Sequence, residues 1–386
     1  MKDISVSHLS KLDLKSQNKK YFYWIDWLRF LSALIVLLSH LRGATFVEYG
    51  ALLDSQKSPL MALFYVVTRL GSEAVIVFFV LSGFLVGGKS IERITARSFK
   101  PLNYTVDRFS RIAIPLIPAL LLSALIEFNI NQNFNLSYFL GNLFSLQGIL
   151  VPLLPGNSPL WSLPYEVWCY ALVWIVGSVA IQKKFNLLLT GYFIVILILL
   201  SQLNTSYLLC WFIGTFGYIY RPRKKSLKIL SLAIIISLYG IFSVQANMTS
   251  VSVSNNSFAL FTASIDISRL LLALGIVLMI QQLILLQPNS HKLARFERWG
   301  TKLAAFSYTL YLTHMPIRAA IESYFNLERA SSVNISSVSI FVFKTSLCLA
   351  LALLLYWLFE KRTLAIRSQL MSLKSNKFIL KMLSIR

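Results

Sequence analysis

Ten apolar stretches run through this sequence and leave little chain between them for anything else. They fall at roughly residues 24–44, 73–90, 106–128, 160–181, 186–201, 206–220, 227–245, 264–286, 303–324 and 336–360. A helix needs about 20 apolar residues to cross the hydrocarbon, so the fifth and sixth stretches are short and are expected to tilt or break. With 56% hydrophobic and 13% charged residues, the chain carries more apolar surface than one soluble core can hide. The expected fold is an all-α, polytopic membrane helical bundle of about ten transmembrane helices over 24–360, between basic tails at 1–23 and 361–386.

A net charge of +22 could serve nucleic acid, but its distribution points elsewhere. Lys and Arg gather in alternate loops: before Tyr21, from Lys89 to Arg111, at Lys183 and Lys184, from Arg221 to Lys228, from Lys292 to Lys302, and after Glu360. Residues 129–159 and 246–263 contain neither. The basic loops and both termini are therefore cytoplasmic. The charge sets topology and attracts anionic lipid, without a nucleic acid partner. The polar, lysine-rich start does not read as a cleavable signal, so the first span is expected to be retained. The longest outward loop, 129–159, is expected to be partly ordered, and the Ser- and Asn-rich segment 245–256 to be an exposed loop. Cys169, Cys210 and Cys348 lie in apolar stretches without disulfide spacing, and the four histidines lack metal-ligand spacing, so no metal is expected.

Several spans carry groups that a bland anchor lacks. Arg29 and His40 stand eleven residues apart, close to three helical turns, and so share a side of the first span. Glu73 opens the second span, Glu166 lies one turn inside the fourth, and Ser307, Tyr311, His314 and Arg318 fall on one face of the ninth. Ionisable groups in hydrocarbon are costly and mark interiors or watery cavities. At about 1.5 Å per residue, His40 lies about 16 Å further out than Arg29. Glu73 and Glu166 sit near that outer level, while Arg108 and Arg111 lie near the cytoplasmic side with Arg29.

The motifs occur in a telling order over residues 20–360: Arg29 with ten residues before His40; Gly71-Ser72-Glu73-Ala74-Val75 and the run Phe78 to Leu85; Arg108-Phe109-Ser110-Arg111; Trp161-Ser162-Leu163 with Glu166; and Ser307-Tyr308 through Tyr311, His314 and Pro316. Together they resemble the acyltransferase family 3 membrane proteins. The resemblance implies a ten-span enzyme that takes an acyl group, commonly acetyl, from cytoplasmic acyl-CoA and places it on a hydroxyl of a surface or exported glycan. It also implies a bacterial cytoplasmic membrane as the location.

That chemistry gives the residues tasks. Neutral imidazole suits removal of a hydroxyl proton near pH 7, and His40 is the candidate base or acyl carrier. Glu73 or Glu166 is at the depth to fix its tautomer, whereas Asp26, about 21 Å away along the helix, is not. Arg108 and Arg111 are candidates for the CoA phosphates, with the pantetheine arm passing Arg29. Ser162, Tyr311 and His314 are candidates for orienting the acceptor or the developing oxyanion. Each residue type also has a structural use: inner arginines as topology signals, the carboxylates as partners of buried cations, Tyr311 and His314 as ties between helices, and Ser82 and Gly83 as close-packing residues. A transporter of a glycan, lipid-linked sugar or small anion is the alternative class, because it uses similar spans and polar stripes.

Overall fold

The computed structural model describes residues 23–182, 186–250, 262–286 and 291–372. Most of the two expected tails lies outside them. Among the described residues the chain is helical, with two isolated bridges (Phe46 with Ala330, Gln147 with Val151) and no longer strand. The helices are α1 Tyr23–Thr45, α2 Pro59–Thr68, α3 Gly71–Ser82, α4 Lys89–Thr95, α5 Pro101–Asn131, α6 Leu136–Leu143, α7 Leu163–Gln182 and α8 Leu187–Ser201. They continue with α9 Thr205–Ile219, α10 Leu227–Ser250, α11 Ile265–Leu283, α12 His291–Ala305, α13 Ser307–Tyr324, α14 Ile335–Leu358 and α15 Thr363–Ser372. Local sequence sets several starts. Asn186, Asn204, Ser264 and Asn334 each accept a backbone N–H of the first turn of α8, α9, α11 and α14, and Asn334 forms a reciprocal box with Ser337.

Side-chain contacts sort the helix ends into two sets. At one end Glu92 accepts from Tyr218 (2.6 Å) and Arg221 (2.9 Å), Glu360 accepts from Thr309 (2.5 Å), Asp107 pairs with Arg367, and Trp27 stacks on Phe296. At the other, Val47 donates to the Ala330 carbonyl (3.1 Å), Gln245 to Glu73 (2.5 Å), and the Asn204 N–H to the Tyr165 hydroxyl (3.1 Å). The first end holds the basic connections and so corresponds to the end expected to be the inner one. Seven helical segments are long and apolar enough to cross a membrane, and α8 with α9 forms one further pair bent by 119°. Helix α9 runs from the outer set of contacts to Glu92 and α8 precedes it across this sharp break, so the fifth and sixth expected stretches form a broken pair. The ninth expected span is α13, less apolar than the others because of its polar row; from Ser307 to Ile317 it is almost wholly buried.

Two apolar clusters fill the interior, one centred on α3, α7, α9 and α11 and one on α1, α13 and α14, with Phe78 packed against both. Outward-facing side chains such as Ile194, Ile198, Ile235, Leu238, Val342 and Leu354 are exposed, as a lipid-facing surface requires. Helices α3 and α9 approach until backbones touch: a Cβ on Gly83 would overlap the Trp211 carbonyl, and one on Gly214 the Val80 carbonyl. Beyond Ser82 the chain takes a π-helical stretch, Gly83–Gly88, before α4. Of the exposed loop expected over 245–256, residues 245–250 are helical and 251–256 lie outside the described residues. Helix α10 runs on to Ser250, because Gln245 still has Glu73 to bind.

The assignment of ends is testable by labelling. All three native cysteines are buried. An impermeant thiol reagent applied to intact cells should modify Asn133→Cys, in the outer loop, and spare Lys224→Cys, in the inner one; the reverse pattern would invert the molecule.

Candidate active site

A cavity of about 320 Å³ lies between α1, α3, α4, α5, α7 and α13, within the size range of small-molecule sites. Five cations face it. Arg29 comes from α1, Arg108 and Arg111 from one face of α5, and Lys89 and Arg93 from α4, with Asp107 among them. The Arg108 guanidinium sits over the Tyr170 ring, 5.6 Å from its centroid. Deeper in, Tyr170 donates its hydroxyl proton to Glu166, and Ser82 Oγ lies 3.4 Å from the same carboxylate, 3.0 Å from the Tyr170 hydroxyl and 3.1 Å from Trp211 Nε1. Phe78, Ser162 and Tyr311 also line the cavity. The Tyr311 hydroxyl is 2.8 Å from Ser162 Oγ and 3.0 Å from the Pro159 carbonyl, and Phe78 meets its ring edge-on at 5.6 Å.

Beside Tyr311, whose ring centroid lies 6.1 Å from that of His314, stand two histidines. His40 Nδ1 is 2.9 Å from His314 Nε2, and the rings lie nearly parallel with centroids 5.1 Å apart. His314 Nδ1 is 3.0 Å from the Leu310 carbonyl. A carbonyl only accepts, so Nδ1 of His314 carries the proton and its Nε2, in the neutral ring, is an acceptor. The proton shared with His40 therefore belongs to His40 Nδ1, which leaves His40 Nε2 with a free lone pair, the form a general base needs.

This arrangement corrects one expectation. Neither carboxylate hydrogen-bonds His40. Glu73 accepts from Gln245 (2.5 Å) and Ser72 (2.9 Å) at the outer end, and Glu166 is held by Tyr170 and Ser82 in the cavity. The partner that fixes the His40 tautomer is His314, which the sequence placed with Ser162 and Tyr311 as an acceptor-side group. Arg29, Arg108, Arg111, Glu166, Ser162 and Tyr311 do converge on one cavity. Glu73 stands apart from it.

Comparison with known proteins bears on the same set of helices. The Acyl_transf_3 family model, described as an acyltransferase domain, matches residues 22–357, which include every helix that contributes to the cavity and to the histidine pair. The chain belongs to the acyltransferase family 3. No curated protein and no solved structure matches it.

In this membrane acyltransferase, several site residues escaped the sequence reading. Lys89 and Arg93 were counted as loop charge, because the second span was expected to end at residue 90; the π-helical stretch and α4 carry the helix on to Thr95 and bring both side chains to the cavity. Ser82 was assigned to packing and instead joins the Glu166 network. Asn157, fully buried, donates to Ser123 Oγ and to the Leu312 carbonyl, both at 2.9 Å, and so ties the outer loop onto α13. Lys344, a lone cation in the last apolar stretch, is also fully buried. An ionisable residue within a span is itself the signal that could have found it.

Proposed function

We propose that the protein moves an acyl group, acetyl in the simplest case, from cytoplasmic acyl-CoA to a hydroxyl of an exported or cell-surface glycan, in the bacterial cytoplasmic membrane. The observation that supports this reading is the cavity lined by five cations, one of whose lining residues, Tyr311, stands beside the histidine pair. CoA presents phosphates at one end and its thioester at the other. Arg108, Arg111, Lys89 and Arg93 suit the phosphates, and Arg29, further along, suits the pantetheine arm and carbonyl.

In the transfer step the acceptor hydroxyl gives its proton to His40 Nε2 while its oxygen forms a bond to the thioester carbonyl carbon. The C–S bond then breaks, and the CoA sulfur leaves with the proton returned from His40. His314 steadies the imidazolium by accepting from Nδ1, and Ser162 and Tyr311 lie beside the path of the acyl group. Transfer by way of an acyl-His40 intermediate uses the same nitrogen.

The test is release of free CoA and acylation of an added glycan by purified protein in lipid nanodiscs supplied with acetyl-CoA. Absence of both from well-folded protein would remove the reading. His314→Ala is expected to lower the transfer rate by about 10- to 100-fold while leaving donor affinity within about twofold, since it frees the His40 tautomer without touching the cation-lined cavity. A loss of donor affinity as large as the loss of rate would show that His314 acts through the fold.

A further inference from the structure

Three charged side chains outside the donor cavity gather around the outer half of α13. Lys344 on α14 is fully buried, with Nζ 2.9 Å from Glu322 Oε1. Arg318 Nε lies 3.6 Å from Glu322 Oε2, beyond hydrogen-bond range, and that Nε is buried without another partner. Lys344 already satisfies Glu322, so Arg318 is not needed to neutralise it. Two cations share one carboxylate, and the cluster holds a formal charge of +1 among the described residues. A cation that only shares a carboxylate between packed membrane helices is costly. A ligand that brought a negative charge to Arg318, whose side chain keeps a quarter of its surface exposed, would offset that cost.

The position of Arg318 says which ligand. Along one face of α13 stand Tyr311 in the wall of the donor cavity, His314 in the histidine pair, and Arg318 one turn further outward. Arg318 is within electrostatic reach of both imidazoles. The donor arrives from the inner end, so the side occupied by Arg318 is left to the acceptor. Resting on the acyl-transfer reading above, we propose that Arg318 is the anion-binding group of an acceptor subsite, and that the acceptor is an acidic glycan with a carboxylate or phosphate within about one sugar unit of the acylated hydroxyl. Glu322 aims the guanidinium and Lys344 occupies Glu322, so that the Arg318 fork stays free for a bidentate anion.

The experiment uses the full-length protein in nanodiscs with acetyl-CoA and three acceptors: methyl glucuronide, methyl glucoside 6-phosphate and neutral methyl glucoside. At least one anionic glycoside should show kcat/KM about tenfold or more above the neutral one, and which of the two leads separates carboxylate from phosphate. Arg318→Gln should bring the ratio to about one through KM, and Arg318→Lys should restore part of it. Lys344→Met, which leaves Arg318 and Glu322 as a neutral pair, should also lower the ratio, and it serves if Arg318→Gln does not fold. Calorimetric titration of the three glycosides reads the same preference without turnover. Equal kcat/KM for all three, or an Arg318→Gln loss of kcat that is the same for charged and neutral acceptors, overturns the acidic-acceptor proposal and leaves acyl transfer standing. Selective binding of an anionic glycoside without any acyl transfer does the opposite. No binding preference and no transfer would sink both.

Discussion

His40→Ala and His40→Gln are both expected to stop acyl transfer, by a factor of about 10² to 10⁴ for the loss of a general base and completely if the imidazole carries the acyl group. Neither replacement can take a proton and return it near neutral pH. Donor binding should persist, because the cations that face the cavity lie inward of the Phe78 and Tyr311 rings and His40 lies beyond them. Rate and donor affinity must be measured on protein inserted at normal abundance, since His314 loses its partner in His40→Ala and a buried group left unpaired destabilises the bundle. Glutamine retains an N–H that can face His314 Nε2 and should be the better folded of the two. Substantial turnover by well-folded His40→Gln protein would end the role assigned to this residue.

The double replacement Arg108→Gln, Arg111→Gln should act on the other quantity. Hydrogen bonds to charged groups contribute about 1.5 to 3 kcal/mol each, so removing two phosphate contacts should weaken acyl-CoA binding by at least tenfold. The rate at saturating donor should change much less, because neither side chain reaches the histidine pair. Rising salt should weaken donor binding to the native protein more steeply than to the variant. An unchanged affinity would return both arginines to the role of topology signals, and the cavity to a feature of packing.

Periodicity within one helix was the legible part of this molecule. Arg108 and Arg111 face one cavity from α5, and the ninth span buries Ser307, Tyr311 and His314 of its polar row. Contacts between helices were not legible. No local pattern tells that His40 meets His314 rather than a carboxylate, because 274 residues separate them and only the packing of α1 against α13 brings the rings together. Local irregularity hid the rest. The π-helical stretch after Ser82 has no strong sequence mark, yet it decides whether Lys89 and Arg93 belong to a loop or to the site. Glu73 matched the expected depth and still lies elsewhere, held by Gln245, because depth fixes one coordinate of a residue and leaves its direction around the bundle open.

The edge-on contact between Phe78 and Tyr311 has a consequence for the cell as well as for the reaction. A protein that accepts a substrate from the cytosol and delivers its acyl group toward the other face is, in outline, a hole through an electrically charged membrane. Under the proposed reaction, the Phe78 and Tyr311 rings, which line the cavity and meet edge-on, narrow the way from its cations to the histidines. If acyl groups do cross the bilayer as proposed, that narrow passage is where the ion gradients stored by the same bilayer would have to be held back.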